Sequence, residues 1–190
     1  MGTDKGEIRR EALQARAALD DWERQRGAVL LTERILGHQW FYLGEYLLCY
    51  ASYGGEISTW EIMEEALRQG KKVYLPRVLQ ESVTPEMGFY RISSLEDLQP
   101  GYRGILEPSG DGEEYFGGQG REERTLMLMP GAAFDRYRNR LGYGKGFYDR
   151  FLADKPLLLQ RTIGVGFRCQ MRAELPSSPL DVRPCQVICV

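Results

Sequence analysis

Tyr46-Leu47-Leu48-Cys49-Tyr50 is a continuous apolar run of strand length, and Ser52-Tyr53-Gly54-Gly55 follows it with a turn signal. Ser58 and Glu61 have the spacing of a capping box for a helix through Gln69. Gly70 closes that helix, and Lys71 and Lys72 sit at its negative end. Val73 to Leu75 is then a second short strand that stops at Pro76. Strand, helix and strand at this spacing form a βαβ unit, which implies parallel strands joined by a right-handed crossover.

The same alternation extends in both directions. The first 36 residues read as two helices, with Asp4 and Asp20 as N-caps, each followed three residues later by a glutamate, Glu7 and Glu23. Gln80 to Arg124 is loop-rich, with a strand at Met87 to Ile92 and a short helix capped by Ser94. Within it, Gly110 to Glu123 reads as a solvated surface loop. Thr125 to Pro130 is another buried strand, Phe147 to Ala153 a helix, and Thr162 to Phe167 and Val187 to Val190 are two more strands. The expected fold is a Rossmann-like three-layer α/β sandwich with a mostly parallel central sheet and helices on both faces. Its ligands should bind outside the carboxyl ends of the strands.

With 190 residues, 43% of them hydrophobic and 27% charged, the chain is expected to fold as one globular domain spanning 1–190. Lys and Arg number 25 against 27 Asp and Glu, a net charge of -2, so a polyanion must be held by a local cluster of cations. No apolar run approaches the roughly 18 residues a membrane helix needs, and no signal-peptide core opens the chain, so a cytosolic monomer with no membrane partner is expected. Cys49, Cys169, Cys185 and Cys189 contain no C-x-x-C pair. Cys185 and Cys189, about 13 Å apart along a strand at about 3.3 Å per residue, cannot share a metal, so buried free thiols are expected. The one histidine, His38, has a surface or packing role.

Pro130 to Arg150 carries the chemistry. Between Asp135 and Asp149 lie Arg136, Arg138, Arg140 and Lys145 and no acid, in a chain of negative net charge. Gly142, Gly144 and Gly146 alternate, which lets the backbone turn through positive φ and aim N–H groups at one point beside the start of the next helix. The natural guest is phosphate. A Walker loop is excluded by Asn139 and Gly146, and the dinucleotide fingerprint by Phe147. The compact cluster suits a small phosphate rather than an extended nucleic acid.

The run Pro130 to Arg150 closely resembles the P-x-x-A-F-D-x-x-x-x-R-L-G-x-G-x-G-[FY]-Y-D-R signature of the 5-formyltetrahydrofolate cyclo-ligase family. Lys5-x-x-Ile8-Arg9, Glu56-Ile57-Ser58-Thr59, Lys71 to Pro76 and Gly104-Ile105-Leu106-Glu107-Pro108 resemble further segments of it. Near the C-terminus Asp181 fits a family aspartate, whereas Leu180 stands where His is common and Cys185 where an acid is usual. The resemblance implies ATP-dependent conversion of 5-formyltetrahydrofolate to 5,10-methenyltetrahydrofolate, with ADP and phosphate released.

It also implies roles. Lys5 and Arg9 would hold ATP phosphates, and Arg140, Gly142, Gly144, Lys145, Gly146 and Tyr148 would wrap the nucleotide. Lys145, Arg140 and Tyr148 would act at the transferred group. Glu56, Tyr143 and Phe147 would meet the folate, with Tyr50, Tyr53, Trp60, Phe89 and Tyr90 as candidate stacking surface. Asp149 and Asp181 would bind Mg²⁺, whose preference for carboxylate oxygens they suit. The alternatives are a non-catalytic folate or nucleotide binder on the same fold, and a different phosphate-handling enzyme such as a sugar-phosphate isomerase.

Overall fold

The computed structural model describes residues 4–79 and 85–190, so the first five positions of the stretch beginning at Gln80 lie outside the described residues. Helices α1 (Lys5–Ala17), α2 (Asp21–Leu36) and α3 (Gln39–Leu43) lead into strand β1 (Tyr46–Leu48), helix α4 (Trp60–Arg68) and strand β2 (Lys72–Leu79). β1 and β2 pair in parallel, as the βαβ reading requires. β3 (Glu86–Ile92) returns antiparallel on β2. A ribbon of β4 (Leu98–Pro100) and β5 (Leu106–Pro108) precedes β6 (Thr125–Met129). β7 (Ala133–Asp135), β8 (Arg140–Leu141), α5 (Phe147–Leu152), α6 (Pro156–Leu159), β9 (Thr162–Gly166), β10 (Met171–Arg172) and β11 (Gln186–Cys189) complete the chain.

The main sheet has the order β11-β9-β6-β1-β2-β3, parallel except for β3. The chain builds β1 and β2 in one direction and then β6, β9 and β11 in the other, so the order reverses between β1 and β6. Successive strand residues alternate faces. Leu47, Val73, Leu75, Leu126, Leu128 and Ile163 therefore pack with Leu31 and Ile35 of α2 and Ile62 and Met63 of α4. Tyr46, Leu48, Tyr74, Met127 and Met129 pack on the opposite face with Leu152 of α5 and Leu158 of α6. These two apolar layers make the three-layer sandwich. α1 stands apart, setting Ile8 and Ala12 against Ala133 and Leu141 of the smaller β10-β7-β8 sheet and Leu175 of the loop that follows β10.

Several local expectations need correction. Asp4 is the N-cap residue of α1 without a capping side-chain bond, whereas Asp20 and Glu23 form the expected box on α2. The N-cap of α4 is Thr59, not Ser58. The Thr59 hydroxyl donates to the Tyr50 carbonyl at 2.6 Å, and Ser58 instead donates to Glu61 at 3.0 Å. β2 does not stop at Pro76. The Phe89 carbonyl opposite it accepts from Tyr115 N–H at 2.7 Å and so points away from β2. That places the missing proline N–H on the side of β1, which has already ended at Leu48, and no ladder bond is lost.

Gly110 to Glu123 is more than a solvated loop. Glu113 accepts from Arg91 N–H, and Tyr115, 2% exposed, packs edge-on against Tyr74 at 5.4 Å, so the segment covers the open edge of β3. Of the cysteines, all free, only Cys49 is fully buried, and Cys169, Cys185 and Cys189 are half-buried. His38 caps α3, its Nδ1 accepting from Trp40 N–H at 3.1 Å. No helix among the described residues is long and apolar enough to cross a membrane.

Candidate active site

A cavity of about 660 Å³ opens where the carboxyl ends of β1 and β6 diverge, at the reversal of strand order. Two chains leaving one sheet in opposite directions must leave a crevice there, and α/β proteins bind ligands in it. β1 delivers Tyr50, Ala51, Tyr53 and Glu56, while β6 delivers Pro130 and then the loop through β8 to α5. α1 closes one side, and Tyr102, Arg103 and Ile105, held between β4 and β5, close another. Lys5, Arg9, Glu56, Arg140, Gly142, Tyr143, Gly144, Lys145, Gly146, Phe147, Tyr148, Asp149 and Asp181 all line this one cavity.

The cations are arranged differently from their order in sequence. Arg136 stacks on Tyr137 at 4.7 Å, and Arg138 donates to the Cys185 carbonyl at 2.8 Å; neither lines the cavity. Arg140 and Lys145 are joined there instead by Lys5, Arg9 and Arg16 of α1, with Arg9 about one turn and Arg16 about three turns beyond Lys5 on one helix face. Arg9 Nε donates to the Gly142 carbonyl at 2.8 Å, which ties α1 to the glycine loop. Gly144 and Gly146 take φ of 91° and 65°, conformations that glycine enters without a Cβ clash. Gly142 is outside that region and contributes an acceptor to Arg9.

Arg140 is nearly enclosed, its side chain 3% exposed. It donates through Nη2 to both Asp149 oxygens at 3.1 and 3.2 Å and through Nη1 to the Pro130 carbonyl at 3.2 Å, with its guanidinium 5.4 Å from the Tyr148 ring centroid. Asp149 also accepts from Val182 N–H at 3.0 Å, which brings it next to Asp181. Asp181 pairs with Lys5 and accepts from Ser178 N–H at 2.6 Å; although burial opposes this, the Lys5 and Ser178 donors hold its carboxyl below the usual range. Asp135, from the same signature, lies outside the site. At 1% exposure it accepts from the backbone of Tyr137, Asn139 and Leu175 and from the Asn139 amide, pinning the turn that leads into β8.

At the other end, Glu56 accepts from Tyr53 N–H at 3.0 Å and from the Tyr143 hydroxyl, while burial pushes its carboxyl up. Tyr50 and Tyr148 have phenols raised by burial and remain neutral hydroxyls. Phe147 and Tyr102 meet edge-on at 6.0 Å and form an apolar wall. Of the stacking candidates, Tyr50 and Tyr53 face the cavity, whereas Trp60 and Phe89 belong to the two cores and Tyr90 lies outside the lining.

The sequence matches the 5-formyltetrahydrofolate cyclo-ligase family over residues 1–190. The chain belongs to that family. It is an enzyme. It is 32% identical over 196 residues to the probable 5-formyltetrahydrofolate cyclo-ligase of Caenorhabditis elegans, covering 97% of this chain and 91% of that protein. It is 28% identical to the 5-formyltetrahydrofolate cyclo-ligase of Mus musculus, covering 99% and 94%. The solved structure of 5,10-methenyltetrahydrofolate synthetase from Aquifex aeolicus superposes with a TM-score of 0.75 at 30% identity, over 95% of this chain and 86% of that one. A Mycoplasma pneumoniae synthetase of 19% identity shares the fold, with a TM-score of 0.74 over 98% of each chain.

Sequence reasoning missed Arg16, Glu107 and the Tyr102 to Ile105 rim. Glu107, 7% exposed, accepts the backbone N–H groups of Tyr102 and Val78 and so fastens the rim to β2, with burial pushing its carboxyl up. The signal for Arg16 was its place on the Lys5 and Arg9 face of α1. The rim was marked only by the family-like run Gly104 to Pro108, to which no role was attached, and its strands are three residues each.

Proposed function

We propose that the enzyme converts 5-formyltetrahydrofolate to 5,10-methenyltetrahydrofolate at the expense of ATP, through a phosphorylated formyl group. The observation that carries this reading is the convergence of a phosphate-type end (Lys5, Arg9, Gly144, Lys145, Gly146) and a neutral, flat-walled end bearing one carboxylate (Tyr50, Phe147, Glu56) in a single cavity. Arg140 lines the same cavity.

A formamide oxygen is a poor leaving group, so N10 cannot displace it directly. Transfer of the γ-phosphoryl group of ATP to that oxygen, with ADP departing, makes it one that can leave as phosphate. N10 then attacks the formyl carbon, loses its proton, and expels phosphate to give the amidinium. The chain's task is positioning and charge stabilisation, and no protein nucleophile is required. Lys5, Arg9 and Lys145 hold phosphate oxygens, the Gly144 and Gly146 turns let the backbone come close, and Arg140 fixes the wall where the phosphoryl group moves. Glu56 accepts ring N–H donors of the pterin.

Asp149 and Asp181 both line the cavity and carry the carboxylate oxygens that magnesium takes, with Asp149 accepting from Arg140 and Val182 and Asp181 from Lys5 and Ser178. Among the described residues no three metal-binding groups cluster, so the two would share the ion with phosphate oxygens. A bound ion there would neutralise phosphate charge.

The deciding assay is spectroscopic. Mixing the protein with 5-formyltetrahydrofolate and MgATP should raise a near-ultraviolet band from the conjugated amidinium, with one ADP and one phosphate per product. Omitting ATP should abolish it. If both ligands bind and no band grows at any Mg²⁺ concentration, the non-catalytic alternative is correct. Turnover without ATP would favour a different phosphate-handling enzyme.

Glu56→Gln should raise the folate KM at least tenfold while the ATP KM changes less than about twofold, because a hydrogen bond to a charged group contributes about 1.5–3 kcal/mol and only one subsite loses it. Equal changes in the two constants would remove Glu56 from the folate subsite.

A further inference from the structure

Arg16 is a buried cation that the catalytic scheme does not use. It lies near the C-terminal end of α1, 7% exposed, on a helix held in place by Ile8 and Ala12. Its Nη1 donates to the Tyr143 hydroxyl at 2.7 Å, its Nη2 donates to the Gly54 carbonyl at 3.1 Å, and its guanidinium lies 5.7 Å from the Tyr143 ring centroid. Arg24 of α2 braces the same corner, donating to the Arg16 carbonyl at 2.9 Å and the Gly55 carbonyl at 3.3 Å. Both ends of the Gly54–Gly55 turn that presents Glu56 are therefore fastened to helical cations.

The hydrogen-bond arithmetic at Tyr143 fixes a direction. A guanidinium only donates, so the Tyr143 oxygen must accept from Arg16, and its own proton is left for another acceptor. The acceptor present is Glu56. We propose that Arg16 is a positioning residue for the folate subsite: by donating to the Tyr143 oxygen it turns that hydroxyl's proton onto Glu56 and keeps Glu56 an anionic acceptor on the cavity wall. This rests on the reading of Glu56 as the pterin acceptor. Desolvation works against the Glu56 anion, and the Tyr143 hydroxyl and the Arg16 charge work for it. Tyr50 and Tyr148 also face this corner, their phenols raised by burial and neutral near pH 7, so Glu56 is the group there that titrates in the acid range.

The test compares Arg16→Met, Arg16→Lys, Tyr143→Phe, the Arg16→Met/Tyr143→Phe double variant and Glu56→Gln, each in the full-length enzyme, with folate and ATP KM measured between pH 6 and 8. Arg16→Met should raise the folate KM about tenfold and leave the ATP KM within about twofold. The folate penalty should grow as pH falls, because Glu56 without Arg16 takes up its proton at higher pH. Arg16→Lys, which keeps the charge, should restore most of the affinity. Arg16→Met should cost less in the Tyr143→Phe background than in the wild type, since the hydroxyl that relays part of its effect is gone.

A pH-independent penalty, equal rises in both KM values, or additive effects in the double variant would overturn the proposal and leave Arg16 as a structural brace. If Arg16→Met does not fold, wild-type folate KM in both Arg16→Lys and Tyr143→Phe would overturn it as well. Glu56→Gln separates the two layers: a raised folate KM there beside an unchanged one in Arg16→Met defeats only the role of Arg16, and an unchanged KM in both defeats the Glu56 reading beneath it.

Discussion

Lys145→Ala should lower kcat/KM at least 10²-fold. It stands between Gly144 and Gly146 in the chain, exposed and lining the cavity, and among the described residues no carboxylate is paired with it. Lys5, by contrast, is engaged with Asp181. A cation held without a partner at the phosphate end of a cavity keeps its full charge for an anionic ligand. Two unit charges at 4 Å interact by about 4 kcal/mol at an effective dielectric near 20. Screening at the open mouth reduces this, and a residual of about 2.7 kcal/mol corresponds to 10²-fold. Because the charge on the transferred group changes most during transfer, kcat should fall with kcat/KM, and the ATP KM should move less. Lys145→Arg should recover part of the rate, since charge survives and the reach changes. Steady-state kinetics with both substrates varied would check this, and near-normal kcat/KM in the alanine variant would remove Lys145 from the chemistry.

The strand and helix alternation was legible because each central strand is a buried apolar run bounded by turn residues. Tyr46 to Leu48, Val73 to Leu75 and Thr125 to Met129 all sit within the sheet as read. The extension of β2 through Pro76 was not legible. It depends on which side of the strand the missing N–H would face, and that is settled only by the register with Phe89 and the early end of β1. The glycine loop was visible from its alternation, yet the neighbouring run of four cations suggested a single local cluster. Backbone geometry splits that run: the reversal around the buried Asp135 carboxylate turns Arg136 and Arg138 away, and Arg140 enters the cavity. The missing charges come from α1, more than a hundred residues earlier. Helical periodicity put Lys5, Arg9 and Arg16 on one face, but only the tertiary packing of Ile8 and Ala12 on the small sheet shows where that face points.

Arg140→Met should give the largest combined loss, in stability and in turnover. The variant replaces a nearly enclosed guanidinium that simultaneously holds both oxygens of Asp149 and the Pro130 carbonyl with a side chain of similar length and no donors. Removing one partner of a buried pair costs about 3–5 kcal/mol because the other charge stays desolvated and unpaired. Asp149 keeps 22% side-chain exposure and the Val182 N–H, so a stability loss near the lower end, about 3 kcal/mol, is expected. Catalysis should fall further than in Lys145→Ala, on the order of 10³-fold, since the wall at the proposed reacting centre and the carboxylate beside it lose their common anchor. Arg140→Lys should restore little: an ammonium carries the charge but cannot reach two carboxylate oxygens and a carbonyl in the planar fork geometry. Denaturant unfolding read together with single-turnover kinetics in the folded fraction separates the two effects. A variant with an unchanged unfolding midpoint and kcat/KM within tenfold of the parent would show that Asp149 and the phosphate end are organised by some other group.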